Sequence, residues 1–357
     1  MNSLERVRLA AMGRPADRVP VGPYLANWTA RWAGFPLSAY CTDGRVMAEA
    51  QLLALERLGQ DIVFPDSDNY YLAEGFGCRA HIPEDDIPSL AQPAVEGLEQ
   101  VFDLEVPDPY RDGRMPVILE AIERIHDQVG DEVPIRVPGT GPFAVASYLV
   151  GVERFLLELA LVRDDRDDVR RQALERMLEL TTQALMRFGL AEIKAGAHLV
   201  QCGDSLASAS VISPEMFQRW VLPYHQRVFR AWKEAGAITV LHVCGNNSRI
   251  LHLLAETGAD IVAVDHLVDL RLAKATIGGQ VCLIGNLAPV ETMLQGTQAM
   301  VAVQARECLA AAAGGGGYIL GTGCEVPLDT PVENLEALVQ VGKAHRYEVV
   351  DQADGGA

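Results

Sequence analysis

Short apolar runs recur along the chain, and longer segments with helical spacing of apolar positions separate them. That alternation predicts a parallel sheet with crossover helices. Eight runs qualify as strands: residues 19–24, 61–65, 134–138, 198–202, 238–243, 260–264, 281–285 and 317–320. Eight such strands, each followed by helical sequence, are what closure of a (β/α)8 TIM barrel requires.

The later half is the most regular. Residues 214–235 read as a helix, with Ser213 as N-cap and Pro214 at the first helical position. Residues 247–257 read as a second helix, stopped by Gly258. A shorter helical stretch begins over 290–295, and 299–313 is an alanine-rich helix. The glycine run 314–317 stops that helix and feeds the last strand, because Tyr318-Ile319-Leu320 follows at once. Residues 163–194 form a long charged helix with a solvated face. About seventy residues separate the second and third strands. They hold an acidic, proline-bearing stretch over 81–109 and an amphipathic helix over 116–129, read as an insertion on the barrel. Residues 1–350 are thus expected to be one barrel domain with helical insertions, and 351–357 a frayed tail.

Composition narrows the partners. With 357 residues, 49% apolar and 22% charged, the chain can bury a large core without disulfides. A net charge of −18 argues against nucleic acid or an anionic membrane as partner. The opening MNSLERVRLAAMGRPADRVP has no apolar run or cleavage site of a signal peptide. No stretch approaches the ~18 apolar residues of a membrane span, so the expected location is cytoplasmic. The seven cysteines are Cys41, Cys78, Cys202, Cys244, Cys282, Cys308 and Cys324. An odd, scattered set in a reducing compartment reads as free thiols or metal ligands.

Barrel chemistry gathers where strands end. Asn27, Trp28 and Arg31 follow the first strand; Asp66 and Asp68 follow the second. Thr140 and Gly141 follow the third, Asp204 and Ser205 the fourth. The fifth ends in His242-Val243-Cys244-Gly245, the sixth in Asp265-His266 and the seventh in Asn286. The eighth runs into Gly321-Thr322-Gly323-Cys324-Glu325. His242 and Cys244 are two apart and point the same way on a strand. With Cys324 they make a zinc-type donor set, whose three ligands leave one position open for substrate. Taken alone, H-x-C is a weak signal that reads more readily as a buried cysteine beside a hydrogen-bonded histidine, and placement at strand ends strengthens the metal reading. Asp265 has two readings: a displaceable fourth ligand, or a carboxylate that orients His242. His198, at a strand start, reads as structural, and Cys202, Cys282 and Cys308 as core residues.

With these residues the chain resembles the uroporphyrinogen decarboxylase superfamily over nearly its whole length. Within it the chain is similar to the zinc-dependent corrinoid:thiol methyltransferases of the methylcobamide:coenzyme M type. The signature is H-x-C followed much later by Cys: LHVCGN, with His242 and Cys244, then GTGCEVPLDTP, with Cys324. GTGPFAVASYLVG, SVISPEMFQRWVLPY and IGNLAP support it. True decarboxylases carry an arginine-rich segment after the first strand that holds substrate carboxylates; here that segment reads Asn27 to Phe35 and the motif is lost. They also place a histidine after the last strand, where this chain has Thr322. Asp66 in FPD and Tyr148 in ASY match substrate-contacting residues of the decarboxylases. With Asp204 and Asn286 they are the candidate catalytic residues.

The resemblance implies a zinc-dependent methyltransferase acting between a corrinoid and a small thiol or methylated compound, in either direction. A thiol is mostly protonated at neutral pH, its thiolate is the nucleophile, and zinc coordination deprotonates it. No D-x-H-x-x-G corrinoid motif occurs, so the corrinoid is expected on a separate partner protein. Two other readings stand: a metal-free uroporphyrinogen decarboxylase, and a non-catalytic barrel that binds tetrapyrrole-like ligands. Zinc content separates the first two, and turnover with a methyl donor separates the first from the third.

Overall fold

A computed structural model describes residues 1–162 and 168–347. In the insertion, β1 (Arg79–His81) and β2 (Ser89–Gln92) pair antiparallel as a separate hairpin. The barrel wall is a parallel sheet in chain order. Its strands are β3 (Arg136–Val137), β4 (Leu199–Gly203), β5 (Ile238–His242), β6 (Ile261–Ala263), β7 (Cys282–Leu287) and β8 (Tyr318–Thr322).

The two earliest predicted strands complete the ring without building ladders. Val21 bridges Leu320 of β8, and Val63 bridges Ile135. The Gly22 N–H donates to the Leu320 carbonyl, and the Leu320 N–H to the Pro20 carbonyl. The Asp61 N–H donates to the Val21 carbonyl, and the Arg136 N–H to the Val63 carbonyl. Pro20, Pro23 and Pro65 have no N–H to give, so pairing is limited to single bridges there. Pro134 and Pro138 shorten β3 for the same reason.

Alternation along each strand sorts side chains between the barrel interior and the helical layer. Leu199, Val240, Ile261, Cys282 and Ile319 form an inner cluster with Val7 and Ala10 of the helix Ser3–Ala11. That helix plugs the floor of the barrel. Asp61 ties it down: Arg6 Nη1 donates to Oδ1 at 2.8 Å, Arg18 Nη1 to Oδ2 at 2.7 Å, and the Val21 N–H to Oδ2 at 2.8 Å. The period that places Val240 inward also turns His242 inward, at the opposite end of β5.

Several predicted helices change bounds. The helix expected over 214–235 is two, Pro214–Trp220 and Leu222–Glu234, interrupted at Val221 with φ −122° and ψ −57°. Pro223 lacks the N–H that a continuous helix needs there. Ser213 caps the first as expected, its hydroxyl accepting from the Met216 N–H at 3.2 Å. The helix expected over 247–257 is confined to Leu251–Glu256. The stretch over 290–295 is a π-helix, Pro289–Leu294, and the alanine-rich helix is Gln298–Ala312. The glycine run does feed β8. Gly316 has φ +92°, and a Cβ there would meet the Arg14 carbonyl carbon at 2.6 Å. The long charged helix is Val169–Ala195, and the part expected over 163–167 lies outside the described residues. The tail expected over 351–357 lies outside them as well.

The amphipathic helix is Met115–Val129. Three helices absent from the expectation, Trp28–Ala33, Leu37–Thr42 and Gly44–Leu58, connect the first two strand segments. Among the described residues no helix is long and apolar enough to cross a membrane.

Candidate metal centre

His242 is the last residue of β5, in register with Gly203 of β4. Its carbonyl accepts the Asp204 N–H at 2.9 Å, and its Nδ1 faces the Ala263 carbonyl at 3.3 Å. A hydrogen on Nδ1 leaves the Nε2 lone pair free to bind a metal. Cys244 follows in a turn gripped from two sides. Asn247 Nδ2 donates to the Val243 carbonyl at 2.7 Å, and the Gly245 N–H donates to Asp265 Oδ2 at 2.8 Å. Cys324 comes from the loop after β8. There the Gly323 N–H donates to the Leu287 carbonyl at 2.8 Å, and a Cβ on Gly323 would meet the His266 nitrogen at 2.4 Å. Glycine thus permits the close backbone approach that brings Cys324 inward.

The three donor atoms converge as expected from the sequence. His242 Nε2 lies 3.1 Å from Cys244 Sγ and 3.8 Å from Cys324 Sγ, and the two sulfurs are 3.8 Å apart. Tetrahedral zinc bonds of about 2.3 Å to sulfur and 2.0 Å to nitrogen set edges of about 3.8 Å and 3.5 Å. The spacing and the soft N/S/S donor set fit zinc. Either thiol can donate to the other across the 3.8 Å between the sulfurs.

The donors line a cavity of about 110 Å³ at the C-terminal end of the barrel, walled also by Tyr24, Asp66, Tyr71, Gln201 and Glu325. A larger cavity, about 710 Å³, lies between the helices Gly44–Leu58 and Met115–Val129, away from these donors. Tyr24 donates its hydroxyl hydrogen to Asp66 Oδ2 at 2.5 Å. Burial pushes the Asp66 carboxyl up to about 7 against the pull of that hydrogen bond. Burial and the charge of Asp66 push Glu325 up to about 8, while the Asn27 N–H and Nδ2 donate to its Oε1 at 3.1 and 3.0 Å. Arg136 is buried beneath this wall, 4.5 Å from the Phe64 ring centroid and 5.5 Å from that of Tyr24, and bonds Gln201. Burial draws it down to about 10.

The other candidates separate from the donor set. Asp66 lines the cavity. Tyr148 does not; it is buried against Tyr70 with ring centroids 5.1 Å apart. Asp204 is fully buried and accepts from the Phe143 and Ala144 N–H groups at 3.1 and 2.8 Å, with His225 Nε2 at 2.9 Å. It satisfies the N-terminus of the helix Pro142–Val150. Cys202 joins Asp204 and His225 in a second buried group of metal-type side chains. The donors to Asp204 already come from the protein itself. Asn286 bonds the Asp265 and Val268 carbonyls at 3.2 and 2.8 Å and braces the loop after β6. Asp204 and Asn286 thus hold the frame, since at a strand end the side chain can as readily grip the next loop as face the cavity. Asp265 stands outside the converging three. Its oxygens accept the Gly245 and Leu267 N–H groups, each at 2.8 Å, and the Ala263 carbonyl takes the orienting position on His242.

The sequence reading passed over Tyr24, Gln201 and Arg136, and named Glu325 without a role. Polar side chains at inward positions of otherwise apolar strands, as in PIRVP and LVQCG, were the available signal.

A model of the uroporphyrinogen decarboxylase (URO-D) family matches residues 2–345. A methylated-thiol–coenzyme M methyltransferase of Methanosarcina mazei is 30% identical over 98% of this chain and 92% of its own length. A methylcobamide:CoM methyltransferase of the same organism is 28% identical over 96% of this chain and 98% of its own. A uroporphyrinogen decarboxylase of Carboxydothermus hydrogenoformans is 29% identical over 89% of this chain and 92% of its own. The solved structure of a methyltransferase from Methanosarcina mazei superposes with a TM-score of 0.85 at 28% identity, covering 96% of this chain and 98% of the other.

Proposed function

The chain belongs to the uroporphyrinogen decarboxylase family, and we propose that within it this protein is a zinc-dependent methyltransferase working between a corrinoid and a small thiol or methylated compound. The observation that carries the reading is the convergence of His242 Nε2, Cys244 Sγ and Cys324 Sγ, 3.1 to 3.8 Å apart, on one small cavity. The names of its methyltransferase relatives, which specify methylcobamide and coenzyme M, support the same chemistry.

His242, Cys244 and Cys324 would hold the zinc ion and leave it open to a substrate sulfur. Bound there, the ion supplies Lewis acidity that keeps a substrate sulfur in its nucleophilic thiolate form. The Ala263 carbonyl fixes the imidazole tautomer, and Asn247 with Asp265 fixes the turn that presents Cys244. Tyr24 holds Asp66 on the cavity wall. A cavity of about 110 Å³ admits a small molecule and leaves the corrinoid to meet it at the mouth, delivered by a separate protein.

Decarboxylation of a porphyrinogen is the competing reading, since decarboxylases are also among the relatives. It lacks the arginines that would pair buried substrate carboxylates. Arg31, from the corresponding segment, is exposed and turned to the Asp85 carbonyl at 3.1 Å and to Asp329 at 3.8 Å.

The test is metal analysis of protein purified without chelators, followed by incubation with methylcobalamin and thiols. About one zinc per chain and a methylated thiol product are expected. Absence of zinc together with conversion of uroporphyrinogen to coproporphyrinogen overturns the reading.

A further inference from the structure

The rest of the cavity that His242, Cys244 and Cys324 line is acidic and aromatic. Asp66 and Glu325 supply two carboxyl groups, and Tyr24 and Tyr71 supply two rings. Among the described residues, no Lys, Arg or His nitrogen approaches either carboxyl within the 4.0 Å of an ion pair. Asp66 Oδ1 is buried without a hydrogen-bond partner. Arg136 does not line the cavity, and its guanidinium is engaged by Gln201 and by the Phe64 and Tyr24 rings.

The charge of Arg136 reaches Asp66 only through space and leaves its carboxyl above the usual range; a buried carboxylate with no cation in contact is unfavourable, and a ligand cation relieves it. Aromatic faces beside carboxylates attract ammonium groups for the same electrostatic reason. We propose that the small substrate carries an ammonium group, which sits between Asp66 and Glu325 while its sulfur faces His242, Cys244 and Cys324. The substrate class is then a short aminothiol or its methylated form. An anionic thiol would bring its charge against the two carboxyls. This proposal rests on the metal-thiol reading above.

The test uses the full chain loaded with zinc, and in parallel with cobalt(II). Calorimetry compares 2-aminoethanethiol, 2-sulfanylethanol and 2-sulfanylethanesulfonate, which share the sulfur and differ in charge. Sulfur-to-cobalt charge-transfer absorption reports whether the sulfur reaches the metal. The aminothiol is expected to bind at least about tenfold more tightly than the sulfonate. Asp66→Asn is expected to narrow that ratio while the sulfur-to-cobalt band persists. Equal or tighter binding of the sulfonate, with the band present, overturns the charge preference and leaves the metal-thiol reading standing. Absence of the band with all three thiols overturns both. The comparison of thiols on the unmodified chain decides the matter even if Asp66→Asn does not fold.

Discussion

The Gly245 N–H donates to Asp265 Oδ2 at 2.8 Å, which joins the loop after β6 to the turn that carries Cys244. Asp265 was a natural candidate for a direct metal ligand, but its second oxygen also accepts a backbone N–H, from Leu267. The expected outcome for Asp265→Ala is therefore weaker zinc binding, by roughly the 10- to 100-fold typical of outer partners of a metal site. X-ray absorption should show the same atoms bound to zinc in variant and wild type. Loss of an oxygen donor in the variant would establish direct ligation instead.

Cys244→Ala and Cys324→Ala should each abolish zinc binding and leave the barrel folded. The inner cluster around Val7, Ile261 and Ile319 and the outer helical layer do not involve these cysteines. Equilibrium dialysis with zinc reads the first effect and circular dichroism the second. An unfolded variant would make the centre structural.

Asp61 lies between two guanidiniums, with side-chain exposures of 1% for Asp61, 6% for Arg6 and 11% for Arg18. Arg6 keeps Asp17 as a partner, its Nε donating to Oδ1 at 2.8 Å, so Asp61→Ala strands Arg18 and should cost about 3–5 kcal/mol. Chemical denaturation reads the loss. Adding Arg18→Met to Asp61→Ala should recover much of it, because the buried charge left alone is then removed while Arg6 keeps Asp17.

His198 predicts an acid-sensitive step in stability. Burial, with repulsion from Arg8 and His126, draws it from its ordinary 6.5 to about 4, and its Nδ1 accepts the Ile135 N–H at 3.2 Å. Between these values the unfolded chain binds a proton that the folded chain refuses. The contribution of His198 to stability is thus fully present above about 6.5 and falls as pH drops towards about 4. His198→Gln should flatten the dependence in that window, measured by denaturation at stepped pH. An unchanged slope would remove His198 as its source.

The sequence by itself determined the barrel and its candidate metal donors. Strand positions follow from apolar runs, and His242 and Cys244 share an orientation because strand side chains repeat every two residues. Their distant partner Cys324 was legible because it also ends a strand, and barrel closure brings strand ends together. Tertiary structure alone decided what each strand-end side chain touches. Asp204, Asn286 and Asp265 carry the same local signals as Asp66, yet they grip backbone groups of neighbouring loops while Asp66 faces the cavity. That difference depends on hydrogen-bond donors brought from loops far apart in the chain, which no local pattern encodes. The acidic wall is of the same kind. Asp66 and Glu325 are separated by most of the chain, and only the closed ring brings them to one cavity with the candidate metal donors.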